Sequence, residues 1–100
     1  MLQLKWRYKA GQYGQIVKVS CDRGALLAEH THTYPELFWI EEGTCQHRIN
    51  GTVDRLQQGD LVFIRAVKDA HQLLAIGRQR FTMTNVECHP DLIEQLKHRY

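Results

Sequence analysis

One hundred residues make one domain of ordinary size, 1–100, able to bury a core without disulfides. With 43% apolar and 24% charged residues and a net charge of +2, the chain has a globular composition and offers nucleic acid no basic stripe. No stretch approaches the ~20 apolar residues that cross a bilayer, and MLQLKWRYKAG lacks a signal-peptide core, so a cytoplasmic protein is expected, with Cys21, Cys45 and Cys88 as reduced thiols.

Leu2, Leu4, Trp6 and Tyr8 alternate with polar residues, which predicts a half-buried strand. Ile16, Val17, Val19 and Cys21 predict a second. Two more follow at 25–32 and 36–42, separated by a turn at Thr33-Tyr34-Pro35. Cys45 to Ile49 runs into Asn50-Gly51, whose two residues tolerate positive φ and so predict a tight hairpin, with a return strand from Thr52 to Leu56. After Gly59-Asp60, the run Leu61-Val62-Phe63-Ile64 is continuously apolar and is expected to be buried on both faces. Leu73 to Ile76 and Phe81 to Val86 complete an all-β set, 2–86. At spacings of about ten residues, such strands build a sandwich or barrel. Pro90 then opens a short helix, 90–100, on which Leu92, Ile93 and Leu96 share a face.

The chemistry concentrates in GALLAEHTHTYPELFWIEEG. His30 and His32 stand two apart on a strand, so both side chains leave the same face, with backbones roughly 6.5–7 Å apart. One metal ion bridges such a gap. Glu36 returns to that side after the turn, and His71 can supply a third imidazole. Three neutral nitrogens and a carboxylate suit Fe(II), Mn, Ni, Cu or Zn and leave coordination positions open. Any one of these histidines alone would be an ordinary rim residue. No G-x-S-x-G and no glycine-rich phosphate loop occurs, and Cys45 beside His47 has no third group to orient it, so nucleophilic catalysis finds no support.

Taken together, Gly24-x5-His30-x-His32-x3-Glu36-x6-Gly43 resembles the first cupin motif at every fixed position. The segment from Gly59-Asp60 to His71 is similar to the second motif, with Arg65 for the usual proline, Val67 for the usual glycine and one extra residue before His71. That residue leaves two registers for His71, into the pocket or out of it; the inward one is expected. More narrowly, HTHTYPELFWIEEGTCQHRING with LQQGDLVFIRAVKDAHQL resembles the sensory cupin domain of AraC-type transcription regulators. The resemblance implies a jelly-roll (RmlC-like) β-barrel with a short C-terminal helix. It also implies a small-molecule effector, such as a sugar, and dimerisation. DNA would be contacted only through a C-terminal domain outside this chain. A free-standing metal-dependent cupin enzyme, of dioxygenase or isomerase type, and a sugar-binding cupin are the other readings.

Alternation extends the candidate site. With His30, His32, Glu36 and His71 as metal ligands, Phe38 and Ile40 share the face of Glu36 and His47 lies near the metal, so these three are expected to line the ligand pocket. Trp39 then points outward beside Leu37 and Leu61 or Phe63, an apolar outer patch of the kind that marks a homodimer interface. Arg65 is read either as a pocket-rim anion contact or as an exposed loop residue.

Overall fold

The computed structural model describes residues 1–5 and 14–99. Trp6 and Tyr8 of the predicted first strand lie outside the described residues. Among these residues nine strands precede one helix: β1 (Leu2–Leu4), β2 (Gly14–Cys21), β3 (Leu26–His32), β4 (Glu36–Glu42), β5 (Thr44–Ile49), β6 (Thr52–Gln57), β7 (Leu61–Ile64), β8 (His71–Ile76), β9 (Phe81–Cys88) and α1 (Pro90–Arg99). They form a five-stranded sheet in the order β1-β3-β8-β5-β6 and a four-stranded sheet in the order β2-β9-β4-β7. All pairings are antiparallel except β1 with β3. This is the expected all-β jelly roll with a short C-terminal helix.

Inward side chains follow the period of two. Phe38, Ile40, Cys45, Ile64, Leu73, Ala75, Phe81 and Met83 form the buried core. The run 61–64 departs from expectation. Only Val62 and Ile64 turn inward, while Leu61 is 63% and Phe63 50% exposed. The reason is position: β7 is the edge strand of the smaller sheet, and a continuous apolar run signals two-sided burial only where something packs on the second face.

Turn chemistry accounts for the corners. Asn50 and Gly51 both take positive φ, 49° and 84°, as the predicted two-residue hairpin requires. At Gly43 a Cβ would stand 2.6 Å from the Arg80 carbonyl oxygen and 2.9 Å from Phe81 Cα, so only glycine permits the close approach of β9.

The loop from Arg65 to Ala70 absorbs the extra residue before His71. Val67 has a φ of 64°, and the Lys68 N–H donates to the Ala66 carbonyl at 2.7 Å. A hydrogen bond from i+2 to i about a residue of positive φ is a strained γ-turn. A β-branched side chain in that region costs roughly 1–2 kcal/mol. The strain is held by neighbours on both sides. The Val67 N–H donates to the His32 carbonyl at 2.7 Å. Asp69, 3% exposed, accepts from the Arg65 N–H at 2.8 Å, Arg65 Nη2 at 2.7 Å and Asn50 Nδ2 at 3.0 Å. Asn50 closes the clamp, since its Oδ1 accepts from the Ala70 N–H at 3.0 Å and its own N–H donates to the Ala70 carbonyl at 2.9 Å. The chain therefore enters β8 in fixed register, with His71 opposite both His30 and Ile49.

Candidate metal and ligand site

β3 carries His30 and His32 to the inner face, and β8 sets His71 beside them. All three are 1% exposed, and the ligand atoms they offer lie within 4.8 Å of one another. Glu36, 5% exposed on β4, reaches across from the opposite sheet to place Oε2 3.1 Å from His32 Nε2. The structure thus brings the four sequence-selected residues to one place, with His71 in the inward register.

The imidazoles form a short relay. His30 Nδ1 lies 2.8 Å from the Ala28 carbonyl oxygen; a proton there leaves Nε2 as an acceptor, 2.9 Å from His32 Nε2. His47 Nε2 contacts His71 Nδ1 at 3.0 Å. His32 Nδ1 and His71 Nε2 are buried without a partner. Tyr34 stacks on His32 with ring centroids 4.8 Å apart.

Burial governs the protonation states. It depresses the pKa of His32 to about 4, helped by His30, and that of His71 to about 3, helped by the neighbouring histidines. The same desolvation pushes Glu36 up to about 8, aided by Glu87. At neutral pH the His32 and His71 imidazoles are therefore uncharged, each with one nitrogen lone pair not held by a proton.

A cavity of about 380 Å³ opens from this cluster. It lies between β1 and β3 of one sheet and β2 and β9 of the other. Apolar residues from β2, β8 and β9 make most of its wall, with His30, His32, Tyr34, Glu36, Asn85 and Glu87 as the polar part. The expected pocket residues Phe38, Ile40 and His47 do not line it. Phe38 and Ile40, 0% and 1% exposed, pack in the core, and His47 stands behind His71. The strand order explains this: β4, β5 and β7 close the opposite half of the barrel with side chains. Arg65 is not at the cavity rim. Its side chain is 57% exposed, ion-paired to Asp69, on the outer groove beside Phe63 and Lys97.

Sequence reasoning missed Val17, Val19, Cys21, Asn85 and Glu87. A signal for the last two was present: in FTMTNVEC the inward parity reads Phe81, Met83, Asn85, Glu87, and polar residues at inward positions interrupt an otherwise apolar row. None of the three cysteines is paired; burial pushes the Cys45 thiol up to about 12, where it is inert.

Two sheets closed over a His-His-Glu-His cluster define a cupin barrel. The chain belongs to the AraC-like ligand binding domain family, which matches residues 12–100. No curated protein sequence matches the chain. Among solved structures, it is similar to the cupin domain of Cnp3 from Schizosaccharomyces pombe, with 14% identity, a TM-score of 0.76, and coverage of 92% of this chain and 67% of that one. A predicted oxalate decarboxylase from Thermotoga maritima aligns at 19% identity and a TM-score of 0.68, over 73% of this chain and 64% of its own. A Cupin 2 conserved barrel domain protein from Salinispora arenicola aligns at 17% and 0.72, over 95% and 80%. At these identities the likeness is one of fold. The chain spans less than two thirds of the Thermotoga protein. No helix among the described residues is long and apolar enough to cross a membrane.

Proposed function

We propose that the chain is the effector-sensing domain of a cytoplasmic AraC-type transcription regulator, a binding module rather than an enzyme. The observation that carries this is the cavity itself, largely apolar, with a polar cluster at one end, in a member of a ligand-binding family. Small-molecule occupancy would bias the arrangement of a DNA-binding part outside this chain, through a difference in affinity between two arrangements. The chain alone is therefore expected not to read operator DNA. The one helix among the described residues, α1, carries Lys97, His98 and Arg99 in its last turn, and base readout needs side chains presented along the major groove. A binding assay on the parent's promoter at moderate salt tests this; tight, sequence-dependent binding by these 100 residues would overturn the reading.

His30, His32, Glu36 and His71 would hold a divalent transition metal. The donor set is right for Zn, Ni, Fe, Mn or Cu, and the unpartnered buried Nε2 of His71 fits the requirement for a free lone pair. His47, against His71 Nδ1, would fix the tautomer that keeps the His71 Nε2 lone pair available. A bound ion would supply a Lewis acid or an anchor for a ligand oxygen. That same donor set favours a second reading, a metal-dependent cupin enzyme.

The outer face of β4 and β7 would join two copies. Leu37 lies opposite Phe63 and Trp39 opposite Leu61, and Leu61 and Phe63 are half or more exposed. An apolar patch of this kind at a sheet edge marks an interface. Mass measurement at micromolar concentration is expected to give a dimer, and Phe63→Lys a monomer. A wild-type monomer would show that this face does not join copies.

A further inference from the structure

Granting the reading above, that this cavity holds the effector, the order of residues along its two walls bears on the effector's chemical class. On the smaller sheet the wall starts at Glu36 opposite Glu87 and passes through Asn85 beside Val17. It continues as Met83 beside Val19 and ends at Phe81 beside Cys21. On the larger sheet it starts at His32 and His30 and continues as Leu27 opposite Leu73. It ends at Ala25, whose carbonyl accepts from the Ala75 N–H at 3.0 Å.

The two gradients run in step. At the polar end His32 Nε2 meets Glu36 Oε2 at 3.1 Å across the sheets. At the other end the chain leaving Cys21 donates the Gly24 N–H to the Ala75 carbonyl at 2.9 Å. Polar side chains therefore face polar ones, and apolar face apolar. Past Asn85, no lining side chain among the described residues offers a hydroxyl, an amide or a charge. From Val17 to Cys21 this apolar body is about 13 Å long, at roughly 3.3 Å per residue of strand. Leu26 and Leu27, exposed residues of the lining, carry the apolar surface out to the mouth. A volume of about 380 Å³ holds about a dozen non-hydrogen atoms, if each takes the ~30 Å³ of a liquid water. A sugar carries hydroxyls around its whole ring, so some of them would lie against Val19, Leu73 or Met83. Each hydroxyl left unpaired there weakens binding about five- to a hundredfold. A hydrocarbon surface in the same place is favoured by its removal from water.

We propose that the effector is a small apolar molecule, an aromatic ring or a short alkyl chain, and that sugars and other polyols are excluded. Its body lies between β2 and β9 on one side and β3 and β8 on the other, with its polar substituent at the histidine end. Val19, Leu27, Leu73 and Met83 then set specificity by what they do not offer. This replaces the sugar that the resemblance to sensory cupins allows.

The test uses chelator-treated protein and NMR titration of the methyls of Val17, Val19, Leu73 and Met83. Cyclohexanol and myo-inositol are the matched probes, the same carbocycle with a hydroxyl on one carbon or on every carbon. Indole is the planar apolar probe. Cyclohexanol and indole are expected to shift these methyls to saturation. Cyclohexanol is expected to bind at least about twenty-five-fold more tightly than myo-inositol, the effect of two unpaired hydroxyls. Val19→Asn places an amide in the apolar body, on the edge strand β2, and is expected to narrow that ratio about fivefold. Leu27→Asn, at an exposed position of the mouth, is expected to narrow it in the same direction and serves should the first variant not fold. Myo-inositol binding as tightly as cyclohexanol, or a ratio unchanged in the folded variants, overturns the apolar class while the pocket stands. No shift of these methyls by any probe overturns the pocket reading, and this inference with it.

Discussion

Acidifying metal-free protein from pH 7 to pH 4.5 is expected to remove about 2 kcal/mol of stability, as a net of larger opposed effects. His32 and His71 have folded pKa values of about 4 and about 3, against about 6.5 when unfolded. A base whose pKa is depressed by folding contributes fully above its unfolded value and loses that contribution as the pH falls towards the folded one. At pH 4.5 the two together give up about 5 kcal/mol. Glu36 runs the other way. Its pKa rises to about 8 on folding, so its contribution is complete below about 4.5 and is lost as the pH climbs to 8; acidification returns about 3 kcal/mol. Urea unfolding across this range measures the net slope. Glu36→Gln removes the compensating carboxyl, and the acid loss is expected to steepen to about 5 kcal/mol. An unchanged slope in that variant would mean that Glu36 does not titrate against burial. In the same titration, added zinc is expected to raise stability at pH 7 by mass action, with the gain shrinking as protons compete for the imidazoles; no zinc effect at any pH would remove the metal reading.

Asp69→Ala is expected to cost about 3 kcal/mol, although Asp69 does not line the cavity. Its carboxylate gathers the Arg65 backbone N–H, the Arg65 guanidinium and Asn50 Nδ2. The Arg65 hydrogen bonds hold its pKa well below the usual carboxylate range, so its contribution is present above about pH 4 and is lost below it. Removing it leaves those donors unpaired and frees a loop already strained at Val67. Arg65→Ala is the control: that side chain is more than half exposed, and a solvated ion pair contributes about 1 kcal/mol or less. Equal losses for the two variants in denaturant unfolding would show that the clamp is not centred on Asp69. Since the clamp fixes the register in which His71 enters β8, Asp69→Ala is also expected to shift the His71 ring signals more than those of His30.

Much of this site is legible in the amino-acid sequence. His30 and His32 have to share a face because side chains alternate along a strand, and the spacing through Glu36 to Gly43 points to their neighbours. Asn50-Gly51 announces its turn, and Gly43 stands where no Cβ fits. The direction of His71 is not legible there, because it depends on how Val67, Asp69 and Asn50 together take up one extra residue, and Asn50 lies 19 residues from Asp69.

The pocket wall shows the division most clearly. Alternation assigns Phe38 and Ile40 to the inner face correctly, but inner face and cavity wall are different things. Parity along a strand is local and can be read from a few residues. Which half of a barrel is filled by side chains and which stays open depends on strand order, here β2 beside β9 and β1 beside β3. Those pairings join residues up to 74 positions apart, as in Gly14 with Cys88. Because burial is created by such partners, the same apolar pattern that hides Ile64 leaves Leu61 and Phe63 in solvent at the sheet edge, and the same inward parity that packs Phe38 into the core opens Asn85 to the cavity.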